Sequence, residues 1–258
     1  MIQQSNPTGA WEVVEVAGHA VDLFEPQVPN KHGYVAIYLH SVGGECLADD
    51  SVFTAEFARH GLRVVAPRGD ESWWSNRIYP AFDSERTAEA YVVEDLMQYI
   101  HQRWDIESPR VGLLGVSMGG QGALRIAYKY SRRFPVVAAV APAIDFHQWI
   151  DSPPAQGEVA HALRQLYRDP EDARQDTATL HVHPLAWPPF QYFCSDPLDH
   201  WHEGADRLQM KLASLGIPHE CDLVTSHGGH GWDYFHAMAP TAVEFVANRL
   251  EKERCRIV

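Results

Sequence analysis

Cysteine is scarce in this chain. Its four thiols, Cys46, Cys194, Cys221 and Cys255, stand far apart in the 258 residues. None shares a C-x-x-C spacing, so neither a disulfide framework nor a zinc ribbon is expected. Reduced thiols in a cytoplasm are the simplest reading. Basic residues are also few: 21 Lys and Arg against 34 Asp and Glu leave a formal charge of −13. Without a basic run, neither nucleic acid nor an anionic membrane surface is expected as a partner. No apolar run reaches the ~18 residues of a spanning helix. The opening MIQQSNPTGAWEVVEV has no basic n-region and no apolar h-region, so no secretory signal is expected there.

What is present supports a large core. Hydrophobic residues make up 45% of the chain and aromatics 11%, which suits one α/β domain over 1–258. Short apolar runs read as strands: YVAIYLHS (34–41), LRVVAPRG (62–69), VGLLGVS (111–117), VVAAVAPA (136–143), FQYFCS (190–195) and ECDLVT (220–225). Most are continuously apolar, as in strands covered on both faces. Helical patterns over 49–61, 87–104, 202–216 and 237–253 separate them. The alternation predicts a doubly wound, mostly parallel sheet. AWEVVEV and AVDLFEP read as an antiparallel hairpin at one edge. Residues 144–189 break the alternation. That segment, rich in proline, histidine and tryptophan, is expected to form a small helical cap, with helices near 157–168 and from Asp169-Pro170-Glu171.

The stretch LLGVSMGGQGALRIAYKY (113–130) carries the chemistry. Gly115-Val116-Ser117-Met118-Gly119 sits between a predicted strand and a predicted helix, which is the setting of a nucleophile elbow. A serine on so sharp a turn leaves no room for side chains two residues either side, hence the glycines. The pattern G-x-S-x-G alone is weak evidence; its strand-turn-helix setting makes Ser117 the candidate nucleophile.

A serine hydroxyl needs a base. In this fold class an acid and then a histidine follow the serine in the chain. The late histidines are His227 and His230 in SHGGHGWDYF; the Gly228-Gly229 turn favours His230. The acid is Asp199 or Asp196 in SDPLDHW, and reach over the sheet edge favours Asp199. It would hold the imidazole tautomer. An oxyanion hole would draw on the amide of Met118 and on one from the loop HSVGGE (40–45), where Val42, then Gly43, is the candidate donor. His40 reads as a residue that shapes this loop.

These stretches together resemble the putative-esterase family of α/β-hydrolases, the group that includes esterase D and S-formylglutathione hydrolase. The resemblance runs from about residue 34 to 250. GVSMGGQGAL is similar to the family's elbow, and APRGDESWW to its Pro-Arg-Gly and Ser-Trp segment. FCSDPLDHW resembles its strand and Gly-x-x-Asp loop, with Asp196 in the glycine's place, which supports Asp199 as the acid. GGHGWDYF is similar to its His-Ser-Tyr-Tyr-Phe stretch, which supports His230. LHSVGG falls where the family has Leu-Ser-Gly-Leu, which supports Val42 as the donor, with Ser41 in the place of a glycine. Cys46 falls two residues later than the family's loop cysteine, and the cap carries no glutathione-thioester signature. The resemblance implies an α/β-hydrolase fold and ester hydrolysis.

Trp73, Trp74 and Tyr79 follow the second core strand, and Trp149 and Trp187 belong to the cap, so all five are candidate pocket residues. The pairs His181/His183, His200/His202 and His227/His230 invite a metal reading, but no third ligand stands at a sensible spacing. No metal and no cofactor are expected. The reading is a cytoplasmic serine carboxylesterase that takes a small-molecule ester or thioester through an acyl-enzyme; a homo-oligomer is compatible with it. Its rivals are an acyltransferase using the same intermediate, a serine peptidase acting on short peptides, and a catalytically silent binding domain of this fold.

Overall fold

The computed structural model describes residues 8–44, 47–151 and 157–255. Cys46 and residues 152–156 of the cap segment lie outside the described residues. Strands β1 (Gly9–Val16) and β2 (His19–Pro26) form the antiparallel edge hairpin, with Val16 paired to His19 at its turn. β2 runs antiparallel to β4 (Arg63–Pro67). From there the sheet is parallel through β3 (Val35–Leu39), β5 (Val111–Val116), β6 (Val136–Val140), β7 (Phe190–Cys194) and β8 (Glu220–Asp222). The order across this eight-stranded sheet is β1-β2-β4-β3-β5-β6-β7-β8.

The parallel strands are apolar along their length because helices cover both faces. Successive side chains of β3 show it. Val35, Ile37 and Leu39 join one core cluster, while Ala36 and Tyr38 join the other. The second cluster packs under α1 (Ser51–Arg59) and α9 (Trp232–Arg254). The first packs under a helical run of α2 (Ala88–Ala90), a π-helical turn (Tyr91–Leu96) and α3 (Met97–Trp104), and under α4 (Met118–Lys129) and α8 (His202–Ser214). Local chemistry sets several boundaries. Asp50 caps α1 by accepting from the amides of Val52 and Phe53. β8 stops at Asp222, short of the expected Thr225, because the Asp222 carboxylate captures the amides of Val224 and Thr225 and turns the chain. α9 begins five residues earlier than its periodicity predicts, and Pro240 lies inside it.

Between β6 and β7 lie a 3-10 turn (Phe146–Trp149), α5 (Gly157–Leu166), α6 (Pro170–Arg174) and α7 (Ala178–His181). Asp169 caps α6 at the amide of Asp172, with Pro170 in the first turn. The cap segment is locked to the core by ions. Arg125 of α4, 3% exposed, bonds Glu89 of α2 and, at 2.6 Å, Asp176 of the cap. Glu89 also accepts from Lys129 at 2.6 and 2.7 Å and from the Tyr130 hydroxyl. Tyr167 donates to Asp176 at 2.8 Å. Burial works against ionisation of Asp176, but its donors His181, Arg125 and Tyr167 hold its pKa down at about 2. Removing the shared cation leaves two buried carboxylates short of a donor, Glu89 with Lys129 and Tyr130, and Asp176 with Tyr167 and His181. Arg125→Ala is therefore expected to lower the unfolding free energy by about 3–5 kcal/mol in urea titration. A loss below ~1 kcal/mol, the size of a surface pair, would show that this network carries no such weight.

Candidate active site

The loops that follow β3, β5, β7 and β8 converge on Ser117. The residue joins β5 to α4 at φ 52° and ψ −117°, a strained setting for a residue with a side chain. Neighbouring backbone holds it there. Its amide donates to Val140 at 2.9 Å, and its carbonyl accepts from Ala143 at 3.0 Å and Gln121 at 3.1 Å. The flanking glycines are required by contact. A Cβ on Gly115 would lie 2.2 Å from the Gly119 carbonyl oxygen, and one on Gly119 would lie 1.9 Å from that of Leu39.

His230, just before α9, places Nε2 at 2.9 Å from Ser117 Oγ. Its Nδ1 lies 2.8 Å from Asp199 Oδ2. A carboxylate can only accept, so Nδ1 carries the proton and Nε2 is free to accept from the serine hydroxyl. The other Asp199 oxygen accepts from the Trp201 amide at 2.8 Å, which fixes the carboxylate. Asp196, the alternative acid, faces elsewhere. Its oxygens accept from the amides of Leu198, His227 and Gly229 and from the Ser226 hydroxyl. Burial opposes its ionisation, yet these donors hold its pKa at about 2. His227 is exposed and meets the site only through that amide.

Met118 opens α4, so its amide belongs to the first turn, where N–H groups lack intrahelical partners. Val42 lines the same cavity as Ser117. The loop that carries it is braced from behind by His40. The Nε2 of His40 accepts from the Gly69 amide at 2.8 Å, so its Nδ1 carries the proton and donates to the Ser41 carbonyl at 2.7 Å. Trp74 adds a bond from Nε1 to the His40 carbonyl at 3.3 Å.

A cavity of about 310 Å³ opens over Ser117. Of the five expected pocket aromatics, Trp73 and Trp149 line it. The other three require correction. Trp73 and Trp74 are consecutive left-handed residues, at φ 54° and 50°, and only the first faces the cavity. Trp74 is wholly buried and wedged against Gly69 and Gly122. Tyr79 is buried in the core cluster over β3 and β5. Trp187 comes three residues before β7 begins, so it lies at the opposite end of the parallel strands, beside Pro135 and Leu185. In their place stand Trp201, Trp232, Phe235, His200 and Val159. Four of these sit within five residues of Asp199 or His230, and that adjacency was the available signal. The Trp149 and Trp201 rings lie 4.6 Å apart, tilted by 31°, and His200 lies 4.8 Å from Trp149 and 4.9 Å from His230. Burial and the neighbouring His230 push the His200 pKa below its ordinary value, against the pull of Asp199.

Among the described residues, Asp199, His200 and His230 could together hold a metal ion, since their ligand atoms lie within 4.8 Å of one another. Two of the three are already engaged in the bonded row to Ser117. His181 turns to Asp176, while His183 is exposed and accepts from the Leu185 amide. Three larger clefts, of about 550, 520 and 400 Å³, lie away from Ser117. The third is lined by both His101 and Ser108, but the Ser108 hydroxyl donates to the Arg132 carbonyl at 3.0 Å and His101 faces Asp105. No helix among the described residues is long and apolar enough to cross a membrane.

Sheet order and strained serine together define the class: this is an α/β-hydrolase fold. Within it, the chain belongs to the family described as Putative esterase, whose model matches residues 20–245. Rat S-formylglutathione hydrolase is 32% identical over 33% of this chain and 36% of its own length, so the match spans about a third of that relative. An acetyl esterase of Caldicellulosiruptor saccharolyticus is 23% identical over 84% of this chain and 81% of its own. Among solved structures, an S-formylglutathione hydrolase from Agrobacterium tumefaciens superposes with a TM-score of 0.69 at 19% identity, covering 97% of this chain and 99% of that one. The fluorophosphonate-binding serine hydrolase FphF of Staphylococcus aureus gives 0.68 at 16% identity, covering 93% and 99%.

The Asp196 carboxylate makes the site region sensitive to acid. Its folded pKa of about 2 is below the unfolded value of 3.8. Its contribution to stability is thus complete above pH 3.8 and is lost as pH falls through about 2. Thermal melts of the wild type should fall more steeply across this window than those of Asp196→Asn. Parallel curves would refute the assignment.

Proposed function

We propose that the protein is a serine carboxylesterase that hydrolyses small, uncharged esters through an acyl-enzyme. One observation carries this reading: the bonded row from Ser117 Oγ through His230 to Asp199, with distances of 2.9 and 2.8 Å, at the floor of an aromatic cavity. Ser117 attacks the ester carbonyl while His230 Nε2 takes its proton. Asp199 holds the tautomer and stabilises the imidazolium. The amides of Met118 and Val42 receive the oxyanion, and His230 returns the proton to the leaving alkoxide. Water, activated by the same imidazole, then releases the acid.

Within the esterase family the cavity narrows the substrate. Trp73, Trp149, Trp201 and Trp232 form its walls, and among the described residues neither Lys nor Arg lines it. An ester bearing a carboxylate would lose hydration there without gaining a counter-ion. Glutathione thioesters carry two carboxylates, so neutral esters such as acetates suit this cavity better. The reading treats 1–258 as one catalytic domain with 144–189 as its cap. It places the enzyme in a reducing cytoplasm, in keeping with the unpaired thiols of Cys194, Cys221 and Cys255.

Hydrolysis of p-nitrophenyl esters from acetate to decanoate tests the chemistry. The wild type should favour the short chains, and Ser117→Ala should lose at least about a thousandfold in kcat. Turnover that survives the substitution would sink the reading. Charge selection has its own test. The kcat/KM for p-nitrophenyl acetate should exceed that for the hemisuccinate ester by about tenfold or more. Equal values would mean that the cavity does not discriminate charge.

A further inference from the structure

We propose that Asp196 is a positioning residue for this hydrolysis: its buried carboxylate binds the loop bearing Asp199 to the loop bearing His230 and so sets the spacing between them. The proposal rests on the reading of His230 and Asp199 as base and acid. Asp196 is 0% exposed. On its own loop it accepts from the Leu198 amide at 2.8 Å, while its backbone carbonyl accepts from the Asp199 amide at 2.9 Å. These two bonds define the turn that presents Asp199.

The remaining bonds cross to the other loop. Oδ2 accepts from the amides of His227 at 2.6 Å and Gly229 at 2.9 Å, and the Ser226 hydroxyl reaches both oxygens, at 2.9 and 3.0 Å. Gly228 and Gly229 make this convergence possible. Both stand at φ 89°, which folds the loop so that two of its amides meet one acceptor. Gly229 also packs against the Leu198 carbonyl, where a Cβ would lie 3.3 Å away. Residues 196–199 and 226–229 thus form one hydrogen-bonded unit around a single carboxylate. His230 leaves that unit at one side and Asp199 at the other. The two carboxylates have separate roles: Asp199 meets the imidazole, and Asp196 meets the backbone that carries it. A residue without a side-chain acceptor at 196 would leave three amides and a hydroxyl without this partner and the two loops untied.

The test compares wild type, Asp196→Asn and Ser226→Ala. Three properties are read: kcat and KM for p-nitrophenyl acetate, the low-field proton NMR resonance of His230 Nδ1–H in the resting protein, and the melting temperature. The carboxamide introduced by Asp196→Asn keeps the shape but turns an NH2 group toward the donors. This variant should lower kcat roughly 100-fold with KM unchanged, and the low-field resonance should shift or broaden. Ser226→Ala removes one donor and should move kcat and the resonance less, in the same direction, with a near-native melting temperature. An unchanged kcat and resonance in folded Asp196→Asn overturns the proposal. If that variant does not fold, an unchanged kcat and resonance in Ser226→Ala overturns it instead. The resonance needs no substrate. Absence of ester turnover in the wild type would therefore defeat the functional reading while the resonance still decides the role of Asp196.

Discussion

The structure turns on how closely the first turn of α4 approaches the end of β3. Gly119 lies against the carbonyls of Leu39 and His40, with no space for a Cβ. This contact lets the chain reverse within one residue and leaves Ser117 at positive φ. Strain of this kind costs about 1–3 kcal/mol. It is offset by the burial of α4, in which every residue from Met118 to Tyr128 is buried. The same approach brings the β3 loop beside the helix N-terminus, where oxyanion donors are needed. The proposed nucleophile and the proposed oxyanion hole therefore trace to one packing contact.

That contact is braced from behind by polar groups in an otherwise apolar setting. His40 ties the β3 loop to Gly69, and Trp74 fills the gap between Gly69 and Gly122 while donating to the His40 carbonyl. The imidazole is used here in its neutral form, as both a donor and an acceptor. His230 uses the same two-sided chemistry toward a serine and a carboxylate. Their environments separate the roles. His40 meets backbone groups through both ring nitrogens and is 4% exposed, whereas His230 opens onto the cavity.

The acidic excess of the chain is handled in two ways. Buried carboxylates are given donors: Glu89 and Asp176 around Arg125, Asp196 among backbone amides, and Asp199 between Trp201 and His230. The cavity over Ser117, by contrast, is walled by indoles and, among the described residues, is lined by neither Lys nor Arg. Fixed charge is kept to the supports of the site, and the surface that would meet substrate is nearly neutral apart from its histidines. Such an arrangement preserves the polarity of the bonded row from Ser117 to Asp199 without drawing charged ligands into it.

The sequence alone determined the features that are local or periodic. Continuous apolar runs identified the parallel strands, and the glycines around Ser117 identified the elbow, because sterics within five residues demand them. The order of serine, acid and histidine narrowed the site to His230 and one of two aspartates. Reach over the sheet edge favoured Asp199 and the family resemblance supported it, but residue patterns could not exclude Asp196, since both follow β7 and the choice depends on a loop about 30 residues later in the chain. Tertiary structure distinguishes the two carboxylates, by aiming one at an imidazole and the other at three amides. It also decided which aromatics face the cavity over Ser117. Trp73 and Trp74 are neighbours in the chain yet point apart through a left-handed turn, and Trp187 enters β7 from the far end of the sheet. Composition records that a tryptophan is present. Only the direction of the backbone at that residue decides what its ring can touch.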